Sequence, residues 1–305
     1  MQPALECLPC LIRQAAEAVA LSERRVKRRP GILKRILRAM ADTDWEQSSP
    51  AMAQMIHRII REETGNRDPY QSIKDRMNRA ALDGMPVWRE LIAKSGNARE
   101  AVVRLAAAGN LLDSAAKTNI QPEDIPRLAS LWTRPLVGDP LDLFRLADRA
   151  SRILYLADNA GEIVFDRLLI ETLPTEKVTL AVRGGPVLND ALMEDAAMAG
   201  VSTIARVVSN GSDAPGTILE DCSEEFRLLF AMADLIIAKG QGNYETLADV
   251  RAPIVFLFTV KCEIIADRFG QPVGSLVATR SRNWQRPPHP AGVAKTYENL
   301  HHPHP

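Results

Sequence analysis

Histidine is scarce in the body of this chain. Of five among 305 residues, His289, His301, His302 and His304 fall in a proline-rich end, leaving only His57 elsewhere. A histidine-rich metal centre is thereby excluded from the core. Any metal must be held by carboxylate, amide and carbonyl oxygens, donors that favour Mg²⁺ or Mn²⁺. An excess of one charge is also missing, since 38 Lys and Arg balance 38 Asp and Glu. Neither nucleic acid nor an anionic membrane is the expected partner. No apolar run reaches the roughly 18 residues of a membrane span. Residues Met1 to Glu6 lack the basic and apolar regions of a signal peptide. Four cysteines in a chain this long do not make a disulfide scaffold, so the expected compartment is a reducing cytoplasm.

Several catalytic signatures are absent too. No Gly-x-x-x-x-Gly-Lys-Ser/Thr loop occurs, which disfavours a P-loop nucleotidase. The turn after the first strand-like run lacks Gly-x-Gly-x-x-Gly, and the second run ends in Arg183 rather than a ribose-binding acid, against a nicotinamide dehydrogenase. No Gly-x-Ser-x-Gly elbow is present. Asp158 has no second acid two residues on, against phosphatases that use paired aspartates.

What is present divides into two patterns. From Cys7 to about Ile125 the apolar residues recur with helical spacing, as in Leu11, Ala15, Ala18 and Val19, or Met52, Met55, Ile56, Ile59 and Ile60. Around Pro122 and Pro126 the composition shifts, and five strand-like runs follow at 153–157, 178–182, 204–208, 235–238 and 254–258. Helix-like stretches at 163–173, 188–199, 226–233 and 263–269 separate most of them. This alternation predicts an α/β fold: an N-terminal all-helical domain (1–126), then a Rossmann-like α/β domain (127–275) with a mostly parallel central sheet, then a Pro/His-rich tail (276–305).

In a parallel sheet the carboxyl ends of the strands share one edge, where ligands bind. The first run leads into Asp158-Asn159, the second into Arg183-Gly184-Gly185-Pro186-Val187-Leu188-Asn189-Asp190, and the third into Ser209-Asn210-Gly211-Ser212-Asp213. The fourth leads into Lys239-Gly240-Gln241-Gly242-Asn243 and the fifth into Lys261-Cys262. Asp158 and Asp190 can ligate one divalent cation, with Asn159 adding a neutral oxygen. Lys239 and Lys261 can pair with a phosphate, and the glycines after Lys239 let backbone N–H groups approach an anion. Singly, each piece has a plainer role: Asp158-Asn159 and Asn189-Asp190 as helix caps, Gly184-Gly185-Pro186 and Asn210-Gly211 as turns, the lysines as surface charges. Together they outline a phosphoryl-hydrolysis site.

These motifs, with Cys7-Leu8-Pro9-Cys10 and Gly109-Asn110-Leu111-Leu112-Asp113, resemble the DUF89 (ARMT1-like) family over roughly residues 4 to 275, most of all its cysteine-containing prokaryotic branch. The resemblance implies a metal-dependent damage-control phosphatase that hydrolyses sugar phosphates or other phosphometabolites by metal-activated water. It implies Asp158, Asn159 and Asp190 as metal ligands for Mg²⁺, Mn²⁺, Co²⁺ or Ni²⁺. Lys239, Asn243 and Lys261 would face the substrate phosphate, beside Gly240. Asn110 and Asp113 would reach in from the helical domain, and Asn189, Asn210 and Asp213 would contact substrate or support the ligands. The alternatives are an S-adenosylmethionine-dependent carboxyl methyltransferase, an activity also proposed within the family, and a non-catalytic metal- and phosphometabolite-binding protein.

Two features stand apart. The spacing of Cys7 and Cys10 suits zinc, but only Cys222 and Cys262 could complete four thiolates, and they form no second pair. The thiols are therefore read as structural or as a metal or redox pair. The basic run Arg24-Arg25-Val26-Lys27-Arg28-Arg29 follows Glu23 and is read as a solvated loop between two helices.

Overall fold

Strands buried on both faces need continuous apolar sequence, and four of the five runs supply it. In the computed structural model, which describes residues 1–113 and 133–285 and the side chains of all but 110–113 among them, these runs are β2 (Ile153–Leu156), β3 (Val178–Val182), β5 (Leu235–Lys239) and β6 (Ile254–Thr259). Every residue of these strands is buried. With β1 (Leu136–Gly138), β4 (Arg206–Ser209) and β7 (Leu276–Arg280) they make a seven-stranded sheet of order β1-β7-β6-β5-β2-β3-β4. The five strands from β6 to β4 are mutually parallel, and β7 runs antiparallel to β6. The chain moves outward from β2 to β3 and β4, then crosses back to place β5 on the other side of β2. A crevice opens where the direction of winding reverses.

The described helices are α1 (Cys7–Ser22), α2 (Arg29–Ala41), α3 (Ser49–Thr64), α4 (Gln71–Asp83), α5 (Met85–Lys94), α6 (Ala98–Asp113), α7 (Asp142–Arg149), α8 (Glu162–Ile170), α9 (Met193–Met198), α10 (Glu224–Met232), α11 (Gly240–Leu247) and α12 (Glu263–Phe269). α3 shows why its ends fall where they do. The Ser48 side chain accepts from Ala51 N–H, Pro50 sits in the first turn, and Gly65 stops the helix at φ 68°. None of the described helices is long and apolar enough to cross a membrane.

Packing divides the helical half. α1–α3 enclose their own core of Leu11, Val19, Ile36, Met52, Ile56 and Ile60. α4–α6 instead share the core of the sheet, where Trp88 meets Phe165 edge-on at 5.5 Å and Val102, Leu105 and Ala106 pack with Ile163 and Leu169. The stretch expected as one helical domain is thus a three-helix unit followed by helices that cover the sheet.

Three further differences from the sequence reading have local causes. β1 lies in what reads as a connecting segment, and β7 occupies 276–280, the start of the expected tail. These two strands pair with each other, and Leu276 and Val277 are fully buried. The helix expected over 188–199 starts only at Met193. Leu188 adopts a left-handed φ of 47°, and the Asp195 carboxylate accepts from Leu192 N–H at 2.8 Å. No helix is expected between 238 and 254, yet the glycine-rich stretch after Lys239 opens α11.

Candidate functional site

The turn after β2 is fastened from two sides. Ala160 N–H donates to the Asn189 carbonyl at 2.8 Å, and Gly161 N–H donates to Asn78 Oδ1 of α4 at 2.6 Å. Asn159 and Asp190 form an isolated antiparallel bridge, so turns leaving two different strands are held in register by backbone. This brings Asp158, Asn159 and Asp190 together beside a cleft of about 460 Å³, which all three line. α1 forms the opposite wall with Cys10, Arg13, Gln14 and Glu17, and Tyr70, Asn189 and Lys261 complete the rim. A hollow of about 500 Å³ lies at the other edge of the sheet, lined by residues such as Thr175, Lys177 and Ser202. It contains none of the strand-end acids, which makes the cleft the candidate site.

The donor set fits a hard divalent cation. Asn159 Nδ2 donates to Asp158 Oδ2 at 2.8 Å and to Glu162 Oε2 at 3.2 Å, so the atom this amide would offer a cation is its Oδ1. Asp158 and Asp190 stand close enough to share Arg183, whose Nε donates to Asp190 Oδ2 at 2.6 Å and whose Nη2 lies 3.8 Å from Asp158 Oδ1. Burial pushes Asp190 up to about 7; the Arg183 charge opposes this and the Asp158 charge adds to it. A buried acid pair of this kind calls for a cation. Among the described residues no three His, Cys, Asp or Glu side chains gather at a metal-binding spacing. The candidate centre consists of two carboxylates and one amide. A β-carbon on Gly240, at φ 79°, would collide with the Asp158 carboxylate, so only glycine lets α11 begin so close to it.

The remaining expected site residues divide by what they touch. Lys261 is exposed and lines the cleft, and Asn189 lines it too. Lys239 does not face the cleft. Its side chain is 0% exposed, and its Nζ donates to Glu162 Oε1 and Asp166 Oδ1, both at 2.6 Å. Burial works against the Lys239 charge, but the Asp166 and Glu162 carboxylates outweigh it and raise its pKa. Burial likewise pushes Glu162 up, to about 7, against the pull of Lys239. Asn243 is also an interior residue. Its Nδ2 donates to the Lys239 carbonyl at 2.7 Å and the Ala157 carbonyl at 3.2 Å, and its Oδ1 accepts from Thr217 at 2.8 Å, tying the ends of β2 and β5 together. Asn210 is 2% exposed and accepts from Gly184 and Ser212 N–H, which shapes the turn after β4. Asp213 is gripped by Gln54, Arg58 and Arg61 of α3, and these hold its carboxyl below the usual range despite burial. It fastens the three-helix unit to the sheet. Asn110 and Asp113 fall in α6, where their side chains lie outside the described residues.

Sequence reasoning missed Arg13, Arg183 and Glu162. The run into Arg183 gave a signal, a cation at the end of a strand between two acids. Arg13 and Glu162 gave none, because their place depends on how α1 and α8 pack. Cys222 is a core residue whose thiol burial pushes up to about 12, while Cys10 is exposed at the cleft mouth. The basic run folds back on Glu23, which accepts from Arg25 at 3.1 Å and Arg28 at 2.8 Å.

Comparison with known proteins agrees with this architecture. Residues 4–277 match the model of the damage-control phosphatase ARMT1-like domain. An uncharacterised protein of Methanocaldococcus jannaschii is 36% identical over 291 residues, covering 89% of this chain and 93% of that protein. A protein of Pyrococcus horikoshii named as a damage-control phosphatase is 33% identical, covering 92% of this chain and 99% of that one. The crystal structure of a DUF89 family protein from P. horikoshii superposes with a TM-score of 0.84 at 31% identity, covering 92% of this chain and all of that one.

Proposed function

Since the chain belongs to the damage-control phosphatase ARMT1-like family, we propose that it is a divalent-metal-dependent phosphomonoesterase acting on a small phosphorylated metabolite. The observation that carries this reading is the convergence of Asp158, Asn159 and Asp190 on a cleft whose rim bears Arg13 and Lys261. A divalent cation held by these three residues would supply Lewis acidity toward a phosphoryl oxygen. Lys261 and Arg13 offset the charge of the phosphate, the first as a point charge and the second as a planar fork. Arg183, below the cleft, counters the repulsion between Asp158 and Asp190. The α1 wall narrows the approach and separates the reacting group from bulk water. Lys239 takes no part in phosphate binding in this reading and supports the floor instead.

The test is phosphate release from p-nitrophenyl phosphate and a panel of sugar phosphates. Wild type and Asp158→Ala are stripped of metal, then given Mg²⁺, Mn²⁺, Co²⁺ or Ni²⁺ in turn. Release that needs an added ion and falls by roughly 10²-fold or more in Asp158→Ala is the expected result. No release with any ion and substrate would overturn the reading, and tight binding of ion and phosphate without turnover would mark a binding protein.

A further inference from the structure

Beneath the cleft lies a buried polar cluster that the phosphatase reading does not use. Glu162, Asp166 and Lys239 are each 0% exposed, and Tyr155 donates to Asp166 Oδ1 at 2.8 Å. Lys239 Nζ holds one oxygen of Glu162 at 2.6 Å, and the other oxygen, Oε2, accepts from Asn159 Nδ2 at 3.2 Å. α6 presses on this side chain from the far side. A β-carbon on Gly109 would collide with Glu162, so that glycine lets the helix close over it. The carboxylate is therefore fixed at both ends and from behind.

An amide has two chemically different ends of nearly equal size. Only its oxygen can ligate a cation, so an asparagine ligand needs something to decide which end faces the cleft. We propose that Glu162, locked by Lys239 and Gly109, is the positioning residue that turns the Asn159 oxygen toward the cation. This inference rests on the reading that Asp158, Asn159 and Asp190 hold a divalent ion. It sets two residues, Glu162 and Asn159, between Lys239 and the ion, and makes Lys239 the clamp on the clamp.

A glutamine at position 162 has almost the same shape as the native glutamate but carries one N–H₂. If its oxygen keeps Lys239, its nitrogen confronts Asn159 Nδ2; if it flips, its nitrogen confronts Lys239. The first arrangement is relieved when Asn159 rotates, which presents its own N–H₂ to the cleft and removes a ligand. Changing both residues, Asn159→Asp together with Glu162→Gln, restores the pairing between positions 159 and 162 with the polarity reversed, at the loss of the bond to Asp158 Oδ2. The new amide at position 162 then donates to the new carboxylate at position 159, and that carboxylate keeps an oxygen for the cation.

The experiment is a Mn²⁺ titration of the metal-stripped full chain, followed by electron paramagnetic resonance, with no substrate present. Glu162→Gln is expected to weaken Mn²⁺ binding by about 10–100-fold, the usual cost of losing a group that orients a ligand. The Asn159→Asp/Glu162→Gln double variant is expected to bind more tightly than the two single changes predict when added. Unchanged Mn²⁺ affinity in Glu162→Gln, or strict additivity in the double variant, would overturn the inference. A second arm uses wild type alone, should Glu162→Gln fail to fold. The Asn159 side-chain N–H₂ should be protected from hydrogen exchange with and without Mn²⁺, and free exchange of those protons would equally overturn it. If wild type binds no Mn²⁺, the reading of the site fails, an outcome distinct from a bound ion that Glu162→Gln leaves undisturbed.

Discussion

Lys239 and Lys261 stand at the ends of neighbouring parallel strands, carry the same charge and lie at the same edge of the sheet. Lys239 is the last residue of β5, and its side chain runs inward to two buried carboxylates. Lys261 lies two residues beyond β6, exposed on the rim of the cleft. The contrast extends to the whole site. The floor, made of Lys239, Glu162, Asp166, Asn243 and Arg183, is an interior in which most polar groups answer one another, Asp166 Oδ2 and Arg183 Nη2 being left without a hydrogen-bond partner. The rim, made of Arg13, Lys261 and Asn189, is a surface turned to whatever enters. A lysine at the end of a strand thus indicates a cation near the edge but not on which side of the floor it acts. That depends on what packs against the strand.

The largest effect should come from the floor. Lys239→Met leaves Glu162 and Asp166 facing each other without a cation and should lower stability by roughly 3–5 kcal/mol, read from the urea midpoint. Lys261→Ala should change stability by less than about 0.5 kcal/mol while raising KM for phosphate esters. If the two lysines exchanged these effects, the division into floor and rim would fail.

His57 is another buried base, and unlike Lys239 it is carried uncharged. It is 3% exposed, and burial lowers its pKa from 6.5 to about 4, with the Arg61 charge acting in the same direction and Asp213 opposing. The unfolded chain therefore takes up a proton on this ring at a higher pH than the folded chain does. Its contribution is complete above pH 6.5 and is lost as pH falls toward 4. The loss amounts to about 3 kcal/mol across that window. The difference in urea midpoint between wild type and His57→Gln, followed from pH 7 to pH 4, should track this loss, because Asp190 and Glu162, pushed up to about 7 by burial, tilt the wild-type profile the other way.

A smaller effect is expected where α3 clasps the sheet. Arg58 is largely exposed, so the ion pair is discounted for solvent screening, and Asp213→Asn should cost only about 1 kcal/mol. The same change should loosen α1 over the cleft, raise KM more than it lowers kcat, and lose its stability effect in high salt. Arg13→Ala should leave stability unaltered and raise KM alone, the least perturbation that separates rim from floor.

Much of the α/β layout could be read from the sequence because fully buried parallel strands are written as unbroken apolar runs. The run at 254–258 needs no partner to be recognised as β6. β7 was hidden because Leu276–Arg280 is buried only in part and pairs antiparallel, outside the rhythm of the other strands. α11 was hidden because two glycines in its first turn lower helix propensity, whereas Gly240 is there to admit Asp158. The cleft itself was legible in Asp158, Asn159, Asp190 and Lys261, all of which follow strands. The fates of Lys239 and Asp213 were not. The carboxylates that hold Lys239 are 73 and 77 residues away, and the α3 residues that hold Asp213 are more than 150 away. Only the packing of α8 and α3 on the sheet brings those partners within reach.

The backbone bridge between Asn159 and Asp190 also bears on how occupancy and folding are linked. Where ligands come together only when an ion arrives, ion binding and folding are one event, and a chelator unfolds the protein. Here main-chain pairing joins the two turns that would carry the ligands in the proposed reading, and the sheet core beneath them is closed by apolar packing. A centre at this place would be preorganised. Chelation should empty it with the far-UV circular dichroism intact, and refilling should raise Tm only by the mass-action increment that ligand concentration and Kd dictate.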